Sequence, residues 1–193
     1  MAKTLLYLHG FMSAPESFKA QVLKAVLALR TDGCHYVCPQ LPIPPAEAVQ
    51  VAMDGIKGIP ADELIVVGSS LGGFYANWIA EQTGAKAVLL NPVVDPWRIQ
   101  ILEDSPDRSD LQVKAWLDFR EAYERDLKAL KVEAITCPKR YFLLAATGDE
   151  LLDWRLMVAH YQGAKQIVIE GSNHGISDFE QYVPQVLAFC GLD

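Results

Sequence analysis

Positive charge is scarce in this chain of 193 residues: 17 Lys and Arg stand against 24 Asp and Glu, a formal net charge of −7. A field of that sign repels phosphate backbones and anionic lipid, and no zinc-finger, RNP-like or Arg-rich stretch offsets it, so no nucleic-acid partner is expected. Long apolar runs are missing too. The opening stretch "MAKTLLYLHG" is too short for a signal peptide, and no run approaches the about eighteen residues that span a bilayer, so the expectation is a cytoplasmic protein without membrane insertion. Cysteines number four, at Cys34, Cys38, Cys137 and Cys190, with no C-x-x-C spacing and no ligand cluster. That spacing argues against a metal site and reads as reduced, mostly buried thiols. The glycine-rich stretch Gly68–Gly73 is followed by no Gly-Lys-Ser/Thr and is not G-x-G-x-x-G, so neither a phosphate loop nor a dinucleotide fingerprint is present and no cofactor is expected.

What the chain does contain is a recurring short apolar run. Leu5–Leu8, Tyr36–Cys38, Leu64–Val67, Ala87–Leu90, Tyr141–Ala146 and Gln166–Ile169 mostly lack polar–apolar alternation. Strands buried on both faces of a parallel sheet read this way. Helical spacing lies between them, in Phe18, Val22, Val26 and Leu29, in Phe74, Trp78 and Ile79, and in Phe179, Val183, Val186, Leu187 and Cys190. "LPIPPAEAV", Leu41–Val49, is a proline-stiffened loop leading into a short helix. Alternating strands and helices predict one α/β domain over residues 1–193, a mainly parallel sheet flanked by helices. From Asn91 to Thr136 no strand-like run appears, while Trp116, Phe119, Tyr123, Leu127 and Leu130 form one helical stripe. Residues 92–136 therefore read as a helical cap or insertion at the C-terminal edge of the sheet, or as an ordinary packed connection.

"VVGSSLGGFYANW" joins a strand-like run to a helical one through G-x-S-x-G, with Ser70 at its centre. A nucleophile on a sharp strand-to-helix turn needs neighbours nearly bare of side chain, which Gly68 and Gly72 supply, and Gly73 lets the helix pack closely. Ser69 occupies the x position. The alternative is a mere glycine-rich turn.

A serine hydroxyl needs an imidazole to take its proton. Of the four histidines, His174 in "IEGSNHGISDF" falls after the last strand-like run, at the edge Ser70 faces. His160 sits in a helical pattern and reads as a surface or helix-end residue, His35 as structural. Asp149 in "ATGDELLDW" follows another strand and completes the order Ser, Asp, His; Glu150, Asp153 and Asp178 compete with it, and a helix N-cap is its other reading. An oxyanion needs preorganised donors: the Leu71 N–H, and one from the loop after the first strand, where Gly10 would turn the Phe11 or Met12 N–H toward the site and His9 would prop the loop. Met12, Trp97, Trp116 and Tyr123 are candidate pocket residues beside Phe11, and Arg98, Lys114 and Arg120 are candidate contacts for an anionic leaving group.

Taken together, "YLHGF", "GSSLGG", "NPVVDP", "TGDELLDWR" and "EGSNHGISDFE" resemble the small bacterial α/β-hydrolases known as YqiA-like esterases, the UPF0227 group, over nearly the whole chain. The resemblance implies a compact hydrolase lacking the first strands of the full fold, acting on acyl esters and acyl-CoA thioesters. It also implies Ser70 as nucleophile, Asp149 as acid, His174 as base and His9–Phe11 as the oxyanion loop. Related hydrolases that attack other bonds with the same triad are further alternatives. So is a non-catalytic ligand- or protein-binding module on this fold.

Overall fold

The computed structural model describes residues 3–96 and 110–192, with the backbone alone for 110–118. Six strands form one sheet in the order β2-β1-β3-β4-β5-β6. They are β1 (Thr4–Leu8), β2 (His35–Val37), β3 (Leu64–Ser69), β4 (Lys86–Leu90), β5 (Tyr141–Ala146) and β6 (Lys165–Ile169). Every neighbouring pair is parallel. The central strands are buried end to end, which explains their unbroken apolar runs: each face of the sheet is covered by helices. The edge strands are the exceptions: β2, which is also short, and β6 are both partly exposed.

Successive residues of each central strand enter opposite cores, as the two-residue strand period requires. Leu6, Leu8, Val66, Leu89 and Leu143 pack beneath α2 (Pro45–Gly55), α3 (Leu71–Thr83), α4 (Asp110–Ala129) and α5 (Trp154–His160). Leu5, Tyr7, Ile65, Val67 and Leu144 pack beneath α1 (Phe18–Ala28) and α6 (Val183–Cys190). This is the α/β-hydrolase architecture with an inserted helical region.

One helix differs from the sequence reading. In α1 the predicted stripe was Phe18, Val22, Val26 and Leu29, but the buried face is Lys19, Ala20, Leu23 and Leu27. Phe18 is 48% and Leu29 85% exposed. The helix carries two apolar faces, and the one with small Ala20 fits against the sheet. Phe18, Val22 and Val26 instead line a shallow surface groove with Val183 and Leu187 of α6. In α4, Tyr123, Leu127 and Leu130 are buried in the same core as α2 and α3. The stripe expected there is thus a packed face from Phe119 on, and residues 97–109 lie outside the described residues.

The four thiols are free. Burial pushes that of Cys190 up to about 12. No helix among the described residues is long and apolar enough to cross a membrane.

Candidate active site

β3 ends in a turn so tight that side chains are excluded on both sides of it. A Cβ on Gly68 would lie 2.2 Å from the Gly72 carbonyl oxygen, and one on Gly72 would lie 2.1 Å from that of Leu8. Between them Ser70 takes φ 56° and ψ −122°, a left-handed-side conformation that a non-glycine residue holds only when its surroundings force it. Here the Ser70 N–H donates to the Leu90 carbonyl, and the Ser70 carbonyl accepts from Val93 and Gly73. Ser69 is buried, its hydroxyl interacting with that of Tyr7.

Three strand ends converge on Ser70. His174, in the loop after β6, brings its Nε2 to 3.0 Å from Ser70 Oγ. Asp149, just past β5, places Oδ2 2.8 Å from His174 Nδ1. A carboxylate only accepts, so Nδ1 carries the ring proton and Nε2 is left bare to accept from the serine hydroxyl. The Asp149 side chain is fully buried and His174 is 17% exposed. Asp149 caps no helix, because α5 begins at Trp154 with Asp153 as its cap, but its Oδ1 accepts from the N–H groups of Leu151 and Leu152 in the intervening turn at 2.9 Å. One oxygen therefore fixes the carboxylate while the other faces the ring.

The competing acids are engaged elsewhere. Asp153 caps α5 by accepting from the Arg155 N–H at 2.9 Å. Asp178 accepts from Ser172 Oγ at 2.5 Å. Glu150 accepts from the backbone N–H of His174 at 2.9 Å, and that bond holds its carboxyl below the usual range. His160 ends α5, half-buried and 3.2 Å from Asn77; burial lowers its pKa.

The loop after β1 crosses directly over Ser70, because a Cβ on Gly10 would be 3.2 Å from Ser70 Cβ. Buried His9 braces it. Its Nε2 accepts from the Leu41 N–H at 3.0 Å, which leaves Nδ1 protonated to donate to the Gly10 carbonyl at 2.9 Å. Phe11 and Leu71 both line the cavity in front of Ser70, and among the described residues neither N–H donates to a protein acceptor. Two backbone donors thus stand unused beside the serine hydroxyl.

That cavity has a volume of about 670 Å³. Phe11, Val93, Leu151 and Leu152 give it apolar walls. The other candidate pocket residues are placed differently. Met12 is 80% exposed and outside the lining, because φ 50° at that position turns its side chain to solvent. Tyr123 is buried in the core and meets the cavity only through the edge of Phe11, ring centroids 6.2 Å apart. Trp97 and Arg98 lie outside the described residues, as do the side chains of Lys114 and Trp116. Arg120 is on the exposed face of α4, paired with Glu124 at 3.0 Å.

Two residues at this site carried no sequence signal. Asn91, the first residue after β4, is fully buried with φ 43°. Its Nδ2 donates to the carbonyls of Asn173 and His174 at 3.1 and 2.9 Å, and its Oδ1 accepts from the Ala146 N–H at 2.8 Å. It ties the loop that carries His174 to the end of the strand that leads to Asp149. An asparagine directly after a strand, before a proline, is the only clue, since Asn tolerates positive φ better than other non-glycine residues. The second is Lys19, buried in the cavity wall.

Solved structures share this fold at low identity. Alpha/beta hydrolase domain-containing protein 10 from mouse superposes with a TM-score of 0.69 at 13% identity, over 96% of this chain and 89% of that one. Est1E from Butyrivibrio proteoclasticus, in its ferulic acid-bound structure, gives 0.69 at 16%, over 96% and 86%. MGS-MChE2, an alpha/beta hydrolase enzyme from a sediment metagenome, gives 0.68 at 13%, over 97% and 91%. At these identities the likeness is one of fold. The sequence model of the uncharacterised protein family UPF0227 matches residues 4–191, nearly the entire chain, and the protein is a member of that family.

Proposed function

We propose that the protein is a serine hydrolase that cleaves carboxylic acyl esters through an acyl-enzyme. The observation that carries the reading is the chain of contacts from Ser70 Oγ through His174 to Asp149, 3.0 and 2.8 Å long, at the floor of a largely apolar cavity. Ser70 attacks the ester carbonyl as His174 Nε2 takes its proton. Asp149 holds the ring in the required tautomer and stabilises the imidazolium. The N–H groups of Leu71 and Phe11 accept the charge that develops on the carbonyl oxygen. His174 returns the proton to the departing alcohol, and water activated by the same ring releases the acid.

A thioester presents the same carbonyl to Ser70, so acyl-CoA belongs to the same chemical class. The cation expected to meet its phosphates that is described, Arg120, is already paired with Glu124. Esters are therefore the substrates to test first.

The test is covalent. The purified protein is treated with a fluorophosphonate probe, and the adduct is located by peptide mass spectrometry beside a His174→Ala control. The expected result is labelling of Ser70 that falls away in the control. An adduct on another residue, or a folded protein that neither labels nor turns over any ester, would sink the reading in favour of a non-catalytic binding module.

A further inference from the structure

Lys19 lies in the second position of α1, on the face that packs against the sheet. It is 9% exposed, and it lines the same cavity as Ser70 and His174. Its Nζ donates one hydrogen bond, to the Gly175 carbonyl at 2.6 Å. An ammonium has three donors and a full charge, and burying it is costly without an anion. Among the described residues no carboxylate lies within ion-pair distance of it, and the charge that acts on it most is that of Asp149, whose oxygens already serve His174, Leu151 and Leu152. A lysine that served only packing would send its head to solvent along the helix surface.

Two neighbours favour negative charge at the same place. The first turn of α1 lines the cavity with Ser17, Phe18 and Lys19, and no side chain caps it, so the positive end of the helix dipole lies at the cavity wall. The hydroxyl-bearing Ser13 and Ser177 line the cavity too, in a wall otherwise mostly apolar. The volume of about 670 Å³ accommodates a small ligand with one polar end.

Building on the serine-hydrolase reading, we propose that the cavity selects esters that carry a free carboxylate, which the Lys19 ammonium binds while Ser70 attacks the ester carbonyl. The carboxylate supplies the counter-ion that the protein lacks. It belongs either to the acyl part of the substrate or to the alcohol part, and the two are separable by experiment.

The experiment compares kcat/KM within matched pairs. On the acyl side, 4-nitrophenyl monoesters of glutaric and adipic acid are set against the same esters with the free carboxylate methylated. On the alcohol side, the butyryl ester of 4-hydroxybenzoic acid is set against that of 4-hydroxybenzamide. In one arm the carboxylate member is expected to exceed its neutral partner by about tenfold to a hundredfold, the range for a charge-assisted hydrogen bond in a desolvated site. Lys19→Met should collapse that ratio toward one, and Lys19→Arg, which keeps the charge, should restore part of it. A structural role for Lys19 lowers both members of a pair by a common factor and leaves the ratio alone; that outcome, or equal rates within both pairs in the wild type, overturns the proposal. Binding of glutarate to Ser70→Ala, measured by calorimetry, needs no turnover. If the wild-type protein hydrolyses no ester, the hydrolase reading fails and this measurement alone decides. Binding that weakens at least about tenfold when Lys19→Met is added supports the anion site, and its absence overturns it.

Discussion

On the His174 side of the cavity, polar groups are held several times over. Asp149 accepts from two backbone N–H groups and from the ring, Asn91 makes three hydrogen bonds that join the His174 loop to the end of β5, and Glu150 fixes the His174 N–H. On the α1 side a buried ammonium has one carbonyl partner and the helix start has no cap. The first wall is built to hold side chains still in the absence of any ligand, as a reaction that depends on orientation requires. The second leaves bonding capacity open toward the lumen. A site that must position its own groups and also receive a foreign one is expected to show both kinds of wall, and the difference marks which groups act and which wait for substrate.

The largest effect breaks the first wall at its centre. Ser70→Ala should retain the fold and lose ester hydrolysis by about 10⁴-fold or more, measured with a short-chain chromogenic ester beside a near-ultraviolet spectrum of the folded protein. Asn91 comes next. Asn91→Ala leaves one buried N–H and two partly buried carbonyls without that partner, and keeps a non-glycine residue at φ 43°. It should cost about 3 kcal/mol or more in urea unfolding and lower kcat by about a hundredfold with a smaller change in KM, because the loop that carries His174 loses its tether. Asn91→Gly removes the same bonds but relieves the backbone. It should recover about 1 kcal/mol of stability and little of kcat. Recovery of kcat in the glycine variant would show that strain, not tethering, is what matters at this position.

The same contrast explains what was legible in the sequence. Ser70, Asp149 and His174 announce themselves because the turn chemistry around them is local: two glycines at fixed spacing, an acid and a histidine each following an apolar run. The central strands were readable because burial on both faces leaves unbroken apolar runs, and no observed strand limit differs by more than two residues. The second wall had no such signal. Lys19 sits where a helical pattern calls for a core residue, and a lysine there reads as a solvated surface group until the partner loop at Gly175, more than a hundred and fifty residues away, is folded against it. The stripe Phe18, Val22, Val26 was a real apolar face that meets α6 at the surface, so period alone chose between two faces and chose the outer one. Asn91 depends on partners in the distant His174 loop and at the end of β5, which no spacing rule reaches.

The stability that the α1 wall contributes should depend on pH. Burial pulls the Lys19 ammonium down to about 8 from its usual 10.5, with Asp149 opposing the change. Between those two values the unfolded chain holds a proton that the folded chain has released, so stability rises with pH there. The gap corresponds to about 3 kcal/mol, fully expressed as a cost below pH 8. Lys19→Met lacks it. At pH 7 that variant should be more stable than the wild type in urea, and its advantage should shrink by about 3 kcal/mol as pH rises to 10.5. A constant advantage across this range would mean that Lys19 is solvated in the folded state, and the contrast between the walls would dissolve.

Glu150 offers the finest cut, because it belongs to the first wall yet stands at its exposed rim. Its carboxylate accepts from the His174 N–H at 2.9 Å, a bond that fixes the backbone of the base and not its ring. Glu150→Gln keeps an acceptor oxygen at the same reach while removing the charge. If the bond matters for placing the loop, the amide should serve nearly as well, and kcat/KM should fall by less than about threefold, since exposed charges contribute little. If the negative charge itself supports the imidazolium that forms during reaction, the loss should be larger at low ionic strength and should fade when salt is added, because an exposed charge is screened. Measuring the variant at two salt concentrations therefore separates a positional role from an electrostatic one at the outermost member of the wall.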